Sequence, residues 1–309
     1  MAASGYRGRL APSPTGRLHL GIARTFLVAW LRARGAGGTL VLRVEDLDPP
    51  RVIAGAEASI RQDLEWLGMD WDEGPEFGGP HGPYHQSQRT EHYRRALQRL
   101  RQDGHLFDCS CSRREVAAAS NAPHGELGPR YPGTCRSGVQ RPGQPISIRF
   151  RMSPPAPVFE DGLHGTITAD VCDDFIVRRS DGLFAYQLAV VADDAEMGIT
   201  EVVRGDDLLS STPRQLALFD ALGAAPPRFF HIPLVLGPDG KRLAKRHGAI
   251  AIGAYRERGV APEQIVGALA ATLGIIPPGE GATPRELLTA FDASTLEIHP
   301  VRVSPDWIP

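Results

Sequence analysis

Cys109, Cys111 and Cys135 are the residues best suited to hold a metal ion. Their pattern is Cys-x-Cys, nineteen residues, Tyr131, three residues, then Cys135. Three thiols in one short stretch of a reducing compartment point to zinc rather than to disulfides. Spacing leaves the fourth ligand open among His124, His105, Tyr131 and a water. Cys172 sits among Asp170, Asp173 and Asp174 and reads as a bystander. A second set of residues suits anionic ligands. Pro12-Ser13-Pro14-Thr15-Gly16 is extended, and His19-Leu20-Gly21-Ile22 opens a helix, so a histidine and unpaired N–H groups meet where phosphate binds. Gly21 would let a flat base approach the backbone. Glu45, Asp46 and Asp48 follow a buried strand, where a carboxylate can hold an ammonium group or magnesium. Lys241-Arg242-Leu243-Ala244-Lys245-Arg246 follows Gly237-Pro238-Asp239-Gly240, a cationic loop able to close on a leaving polyphosphate. Taken singly, each of these also fits a plain turn, a helix cap or a solvated charge run.

The elements that position these groups follow from periodicity. Ile22, Phe26, Leu27, Trp30 and Leu31 have helical spacing over 21–34, with Gly35 as a stop. Thr39–Val44 reads as a buried strand closed by Pro49-Pro50. Strand, turn, helix, strand opens a parallel α/β sheet. Helices are predicted over 54–67, 89–102 and 212–222, and strands at 201–204 and at 229–236, the latter broken by Pro233. Phe175–Val177 and Phe184–Val191 read as a hairpin turning at Ser180-Asp181-Gly182. The Gly- and Pro-rich stretch 109–157 reads as an insertion, and the last sixty or so residues as helical without further strands.

The chain has 309 residues, with 34 Lys plus Arg against 36 Asp plus Glu, a formal charge of −2. That near-balance excludes attachment to nucleic acid by bulk positive charge and requires a local basic face instead. Arg94–Arg101 and Arg113-Arg114 are candidates for it. No apolar run nears the roughly 20 residues of a membrane helix, and no apolar segment follows the basic start, so the expectation is a cytoplasmic protein with no membrane partner.

In order along the chain, the motifs are more specific than any one alone. Arg9-Leu10-Ala11-Pro12-Ser13-Pro14-Thr15-Gly16-Arg17-Leu18-His19-Leu20-Gly21 resembles the HIGH-motif segment of class I glutamyl-tRNA synthetases. Leu42–Pro49, Gln86-Ser87-Gln88-Arg89, Val203–Asp207 and Ser211-Thr212-Pro213 resemble further landmarks of that family. Asp239–Gly248 resembles its KMSKS loop, with Arg242 for the usual lysine and Ala244 for serine; Ile22 fills the fourth HIGH position. Gly182–Val191, and an end at Pro309 where an anticodon-binding domain would begin, resemble the short paralogues, the glutamyl-queuosine tRNA(Asp) synthetases.

The resemblance implies an α/β Rossmann-type class I synthetase catalytic domain with a zinc-containing insertion and a C-terminal helical stem-contact region. Its parts would be 1–105 and 173–236 for the two catalytic halves, 106–172 for the zinc-binding insertion, and 237–309 for the KMSKS-type loop and helical region. It implies ATP-dependent activation of L-glutamate as glutamyl-adenylate and transfer to the queuosine base of tRNA(Asp), by a monomer. Arg9, Leu10, Ala11, Pro12, Ser13, Glu45, Tyr186 and Arg204 would bind glutamate. His19, Gly21 and Lys245 would bind ATP with its magnesium, His19 and Lys245 acting in catalysis. Cys109, Cys111, Tyr131 and Cys135 would hold one structural zinc. A truncated glutamyl-tRNA synthetase charging the acceptor end of tRNA shares these activation motifs and is the alternative.

Overall fold

The structure is a computed structural model and describes residues 5–119, 130–168, 173–241, 243, 251–303 and 307–308. Lys245, Arg242, Ala244, His124 and Cys172 lie outside the described residues. The first elements are β1 (Arg7–Leu10), α1 (Leu20–Gly35), β2 (Thr39–Leu42), α2 (Ala56–Trp66) and α3 (Thr90–Gln102). Then come β3 (Leu106–Cys109), α4 (Arg113–Ala119), β4 (Ser147–Phe150), β5 (Phe159–Asp161), β6 (Gly165–Ile167) and β7 (Phe175–Arg178). They are followed by α5 (Tyr186–Glu196), β8 (Glu201–Gly205), α6 (Thr212–Ala221), β9 (Arg228–Ile232) and β10 (Val235–Leu236). Last come α7 (Ile252–Glu257), α8 (Pro262–Ala271), α9 (Pro284–Leu287) and β11 (Val301–Arg302).

β1 pairs parallel with β2, and β8 parallel with β9. The two pairs abut where the Thr200 N–H donates to the Arg7 carbonyl at 2.9 Å. These short strands are largely buried, as parallel strands between helices must be, although β1, β8 and β9 carry Arg9, Glu201, Arg204 and His231 inside. α1 crosses between β1 and β2 with ten of its sixteen residues buried, Trp30 among them. Arg32 and Arg34 lie in its last turn, where cations suit the helix end. Gly38 then turns the chain hard against Tyr6: a Cβ there would lie 2.4 Å from the Tyr6 carbonyl. β5 also joins this sheet, parallel to β9, although it falls within the 106–172 stretch. The Cys-bearing β3 instead forms a separate antiparallel sheet, β3-β4-β7. Among the described residues, no helix is long and apolar enough to cross a membrane.

Two expectations are corrected. The hairpin predicted over 175–191 is reduced to one bridge, Arg178 to Phe184, after which the chain enters α5. The apolar run there continues through buried Asp193 and Asp194, giving an eleven-residue element that buries 188–191 and 193–194. Eleven residues exceed an ordinary strand, and a short apolar run alone does not separate the two states. The C-terminal region also contains a strand. β11 pairs parallel with β10, matching Val235 to Val301 and Leu236 to Arg302. Two residues are too few to show a period, so only tertiary pairing reveals them.

Candidate active site

A cleft of about 640 Å³ opens at the carboxyl ends of β1, β2, β8 and β9. Open parallel sheets bind ligands at that edge, because the loops leaving the strands diverge there. Of the residues selected from sequence, Arg9, Ala11, Pro12, Ser13, Gly21, Glu45, Tyr186 and Arg204 line it. Leu10 does not: its side chain is fully buried in the main core, and its carbonyl accepts the Arg43 N–H at 2.9 Å. His19 is the N-cap of α1, its carbonyl accepting from Ile22 and Ala23, and it bridges Ala251. The turn that follows it puts Gly21 and Ile22 on the cleft wall.

Three little-exposed charged side chains converge in the cleft, whose lining also includes Asp48, Arg51, Arg179 and Asp207. Arg9 and Arg204 are each 5% exposed, and Glu45 is 11% exposed. Arg9 Nη1 donates to the Val203 carbonyl at 2.9 Å, while its buried Nε has no hydrogen-bond partner. Arg204 donates Nε to His231 Nε2 at 3.0 Å, Nη1 to Gln215 Oε1 at 2.8 Å and Nη2 to Thr212 Oγ1 at 2.7 Å. Burial lowers the pKa of Arg204, and the neighbouring Arg9 charge lowers it further. Burial raises the pKa of Glu45, although Arg43 and Arg9 partly oppose it. Burial also raises the Tyr186 phenol, against the pull of Arg204 and Arg9. Arg204 and Glu45 are thus under-compensated, whereas Arg9 Nε already faces Asp194 Oδ1 at 3.8 Å. Arg204 would gain from an anion, and Glu45 from a cation.

The groups that support this arrangement were not selected as site residues, although Arg43, Gln86 and Arg89 fall in segments that resemble family landmarks. Arg43, fully buried, donates Nη1 to Asp194 at 2.6 Å and Nη2 to Glu45 at 3.1 Å. Burial alone would weaken its hold on a proton, but Asp194, Asp193 and Glu45 raise its pKa well above the usual value. Asp193 accepts from Arg89 Nε at 2.6 Å, Gln86 Nε2 at 2.7 Å and the Tyr93 hydroxyl at 2.9 Å. Two adjacent carboxylates inside an apolar helical run were the available signal, since buried charges require partners.

Cys109, Cys111, Cys135 and Tyr131 come together at the edge of the β3-β4-β7 sheet. The three sulfurs lie within 4.8 Å of one another. Cys111 to Cys135 is 3.6 Å, and the Tyr131 hydroxyl is 3.4 Å from Cys109 and 4.0 Å from Cys111. A tetrahedral zinc site with thiolate bonds near 2.3 Å has sulfur–sulfur edges of about 3.8 Å, so the donor set fits that ion in kind and in size. Burial would raise the Cys135 thiol, but N–H groups of Gln140 and Ser110 hold it down at about 6. Burial and the neighbouring sulfurs push Cys111 up to about 11, a repulsion that a cation would relieve. His105, an alternative fourth ligand, instead stacks on Phe150 with ring centroids 5.8 Å apart.

Residues 6–296 match the family model of the class I tRNA synthetase (E and Q) catalytic domain. The chain belongs to that family. A glutamyl-Q tRNA(Asp) synthetase of Symbiobacterium thermophilum is 49% identical over 97% of each chain. One from Nitratidesulfovibrio vulgaris is 49% identical over 97% of this chain and 96% of its own. A glutamate–tRNA ligase of Anaeromyxobacter sp. is 46% identical over 84% of this chain but only 56% of its own. Among solved structures, a glutamate tRNA ligase from Elizabethkingia meningosepticum, in complex with its amino acid, superposes with a TM-score of 0.82. It is 30% identical and spans 98% of this chain and 68% of its own.

Proposed function

We propose that the protein activates L-glutamate with ATP and transfers the glutamyl group to the queuosine base of tRNA(Asp). The observation that carries this reading is the charge balance of the cleft. Two buried guanidinium groups, Arg204 with no carboxylate in contact and Arg9 with Asp194 at 3.8 Å, and one carboxylate whose charge burial disfavours, complement an amino acid with two carboxylates and one ammonium group. Arg9 and Arg204 take the carboxylates, Glu45 takes the ammonium group, and Ser13 and Tyr186 close the pocket. Ala11 and Pro12 line the pocket beside Arg9 and Ser13, and Leu10 anchors that strand end from within the core. End-to-end similarity to proteins named glutamyl-Q tRNA(Asp) synthetases supports the choice of acceptor.

In the first step, a glutamate α-carboxylate oxygen attacks the α-phosphorus of ATP, the bond to the bridging oxygen breaks, and pyrophosphate leaves. In the second, a hydroxyl on the cyclopentene ring of queuosine attacks the acyl carbon and AMP departs, the hydroxyl proton passing to solvent. No protein nucleophile is needed, and the rate comes from alignment and from cations facing the developing phosphate charge. His19 and the α1 opening at Gly21 hold the phosphates, with Lys245 closing over them. Magnesium enters bound mainly to ATP. Cys109, Cys111, Tyr131 and Cys135 hold one structural zinc, a closed set with no open position. On this reading 1–105 and 173–236 form the two catalytic halves, 106–172 carries the zinc, and the helical part of 237–309 meets the tRNA stem.

The test is transfer of labelled glutamate to tRNA(Asp) with and without queuosine. Label confined to the queuosine-containing tRNA is the expected result. Label on the acceptor end of tRNA(Glu) would instead establish the glutamate–tRNA ligase reaction.

A further inference from the structure

Behind Arg204 lies a buried chain of polar side chains that does not itself line the cleft. Asp161 Oδ2 is 2.6 Å from His231 Nδ1, and His231 Nε2 is 3.0 Å from Arg204 Nε; Asp161 is 4% exposed and His231 not at all. The proton positions follow from the partners. Arg204 Nε carries a hydrogen, so His231 Nε2 must accept and the imidazole proton must sit on Nδ1, donated to Asp161. Asp161 is itself pinned, since its Oδ1 accepts the N–H groups of Leu163 and His164, each at 3.0 Å. That leaves Oδ2 facing the ring.

The four acceptors around Arg204 are all uncharged: His231 Nε2, Gln215 Oε1, Thr212 Oγ1 and the Leu208 carbonyl. A carboxylate in direct contact would orient the guanidinium but would also compete with any anion arriving in the cleft. Setting the charge of Asp161 one imidazole away separates these effects. The plane is held, and the positive charge remains available.

We propose that Asp161 and His231 are positioning residues that fix the Arg204 guanidinium for a substrate carboxylate and so sharpen discrimination against the carboxamide analogue. The inference rests on the glutamate reading above. A guanidinium free to turn could meet an amide oxygen as readily as a carboxylate, whereas a fixed one favours the second anionic oxygen.

Asp161→Asn gives a specific test. The N–H groups of Leu163 and His164 keep the amide oxygen at the Oδ1 position, so its NH2 faces Nδ1 and forces the proton to Nε2. That N–H then opposes the N–H of Arg204, an inverted tautomer with unchanged shape. ATP–pyrophosphate exchange, measured with tRNA(Asp) present, should show KM for glutamate raised about tenfold or more while KM for ATP stays within about twofold. The preference for glutamate over glutamine should fall in parallel. His231→Gln, whose amide oxygen reaches the Nε2 position, should stay within about threefold of the unsubstituted protein, whereas the shorter His231→Asn should behave like D161N. An unchanged glutamate KM in D161N and H231N, or losses confined to kcat, would overturn the proposal. Should D161N fail to fold, the comparison of H231Q with H231N decides, equal values overturning it. If the unsubstituted protein shows no glutamate-dependent exchange at all, the amino-acid reading fails instead, whatever the variants do.

Discussion

Arg9, in β1, reaches across to donate its Nη1 hydrogen to the carbonyl of Val203, the residue immediately before Arg204 in β8. One cleft cation is thus hung on the backbone that carries the other. The main chain fixes the spacing of the two guanidinium groups, so they approach despite like charge.

Removing either cation should therefore fall on amino-acid binding first. Arg204→Ala should abolish glutamate activation, since it also strands Gln215, Thr212 and His231 without their donor. Arg9→Ala should raise KM for glutamate by about 10- to 100-fold, the worth of one or two charge-assisted hydrogen bonds. Pyrophosphate exchange at varied glutamate checks both, and near-normal exchange by R204A would show that the pocket is elsewhere.

Metal content tests the thiol cluster independently. Purified protein should carry about one zinc per chain. Chelation should lower the melting temperature, because binding energy at such a site is folding energy. Tyr131→Phe should weaken retention while leaving the three thiols in place. Intact folding without metal would contradict a structural zinc.

Stability should depend on pH through His231. Burial, reinforced by Arg204 and opposed by Asp161, lowers its pKa from 6.5 to about 4, with His164 also nearby. Between those values the unfolded chain binds a proton that the folded one refuses, so stability falls as pH drops from 6.5 towards 4. The contribution is on the order of 3 kcal/mol across that window. Denaturant melts of the unsubstituted protein and H231Q should diverge above pH 4 and run parallel above pH 6.5. Identical slopes throughout would mean that folding leaves the proton equilibrium of His231 unshifted.

Gly267, in the middle of α8, should not tolerate a side chain. A Cβ there would lie 1.9 Å from the Glu280 carbonyl and 2.9 Å from the Gly281 Cα, both backbone. Gly267→Ala would improve helix propensity by about 1 kcal/mol, yet the clash should destabilise by about 1–3 kcal/mol net. Thermal unfolding reads the sign directly.

Much of the cleft was legible because its residues sit in short segments that resemble family motifs at strand ends: Arg9, Ala11 to Ser13, Glu45 and Arg204. Periodicity located α1, α2, α3 and α6 within a residue or two. It failed at Tyr186–Glu196, where an unbroken apolar run lacks the alternation that separates strand from helix. Arg43, Asp161 and His231 were invisible for another reason. Their roles come from partners up to 151 residues away, as Arg43 meets Asp194, and no local spacing encodes that. The fourth cluster ligand was ambiguous on spacing for the same reason, since Tyr131 reaches Cys109 only through the fold.

Arg24 lies one turn beyond the helix opening that borders the cleft. Its guanidinium donates to the Pro233 carbonyl at 2.6 Å and to the Thr272 hydroxyl and carbonyl at 2.9 and 3.1 Å. One side chain therefore rivets α1, the exit of β9 and the end of α8 into a single frame. Swapping in a different C-terminal helical region would import a new neighbour for that rivet. A graft that omits the threonine would loosen the cleft wall at Gly21 and Ile22.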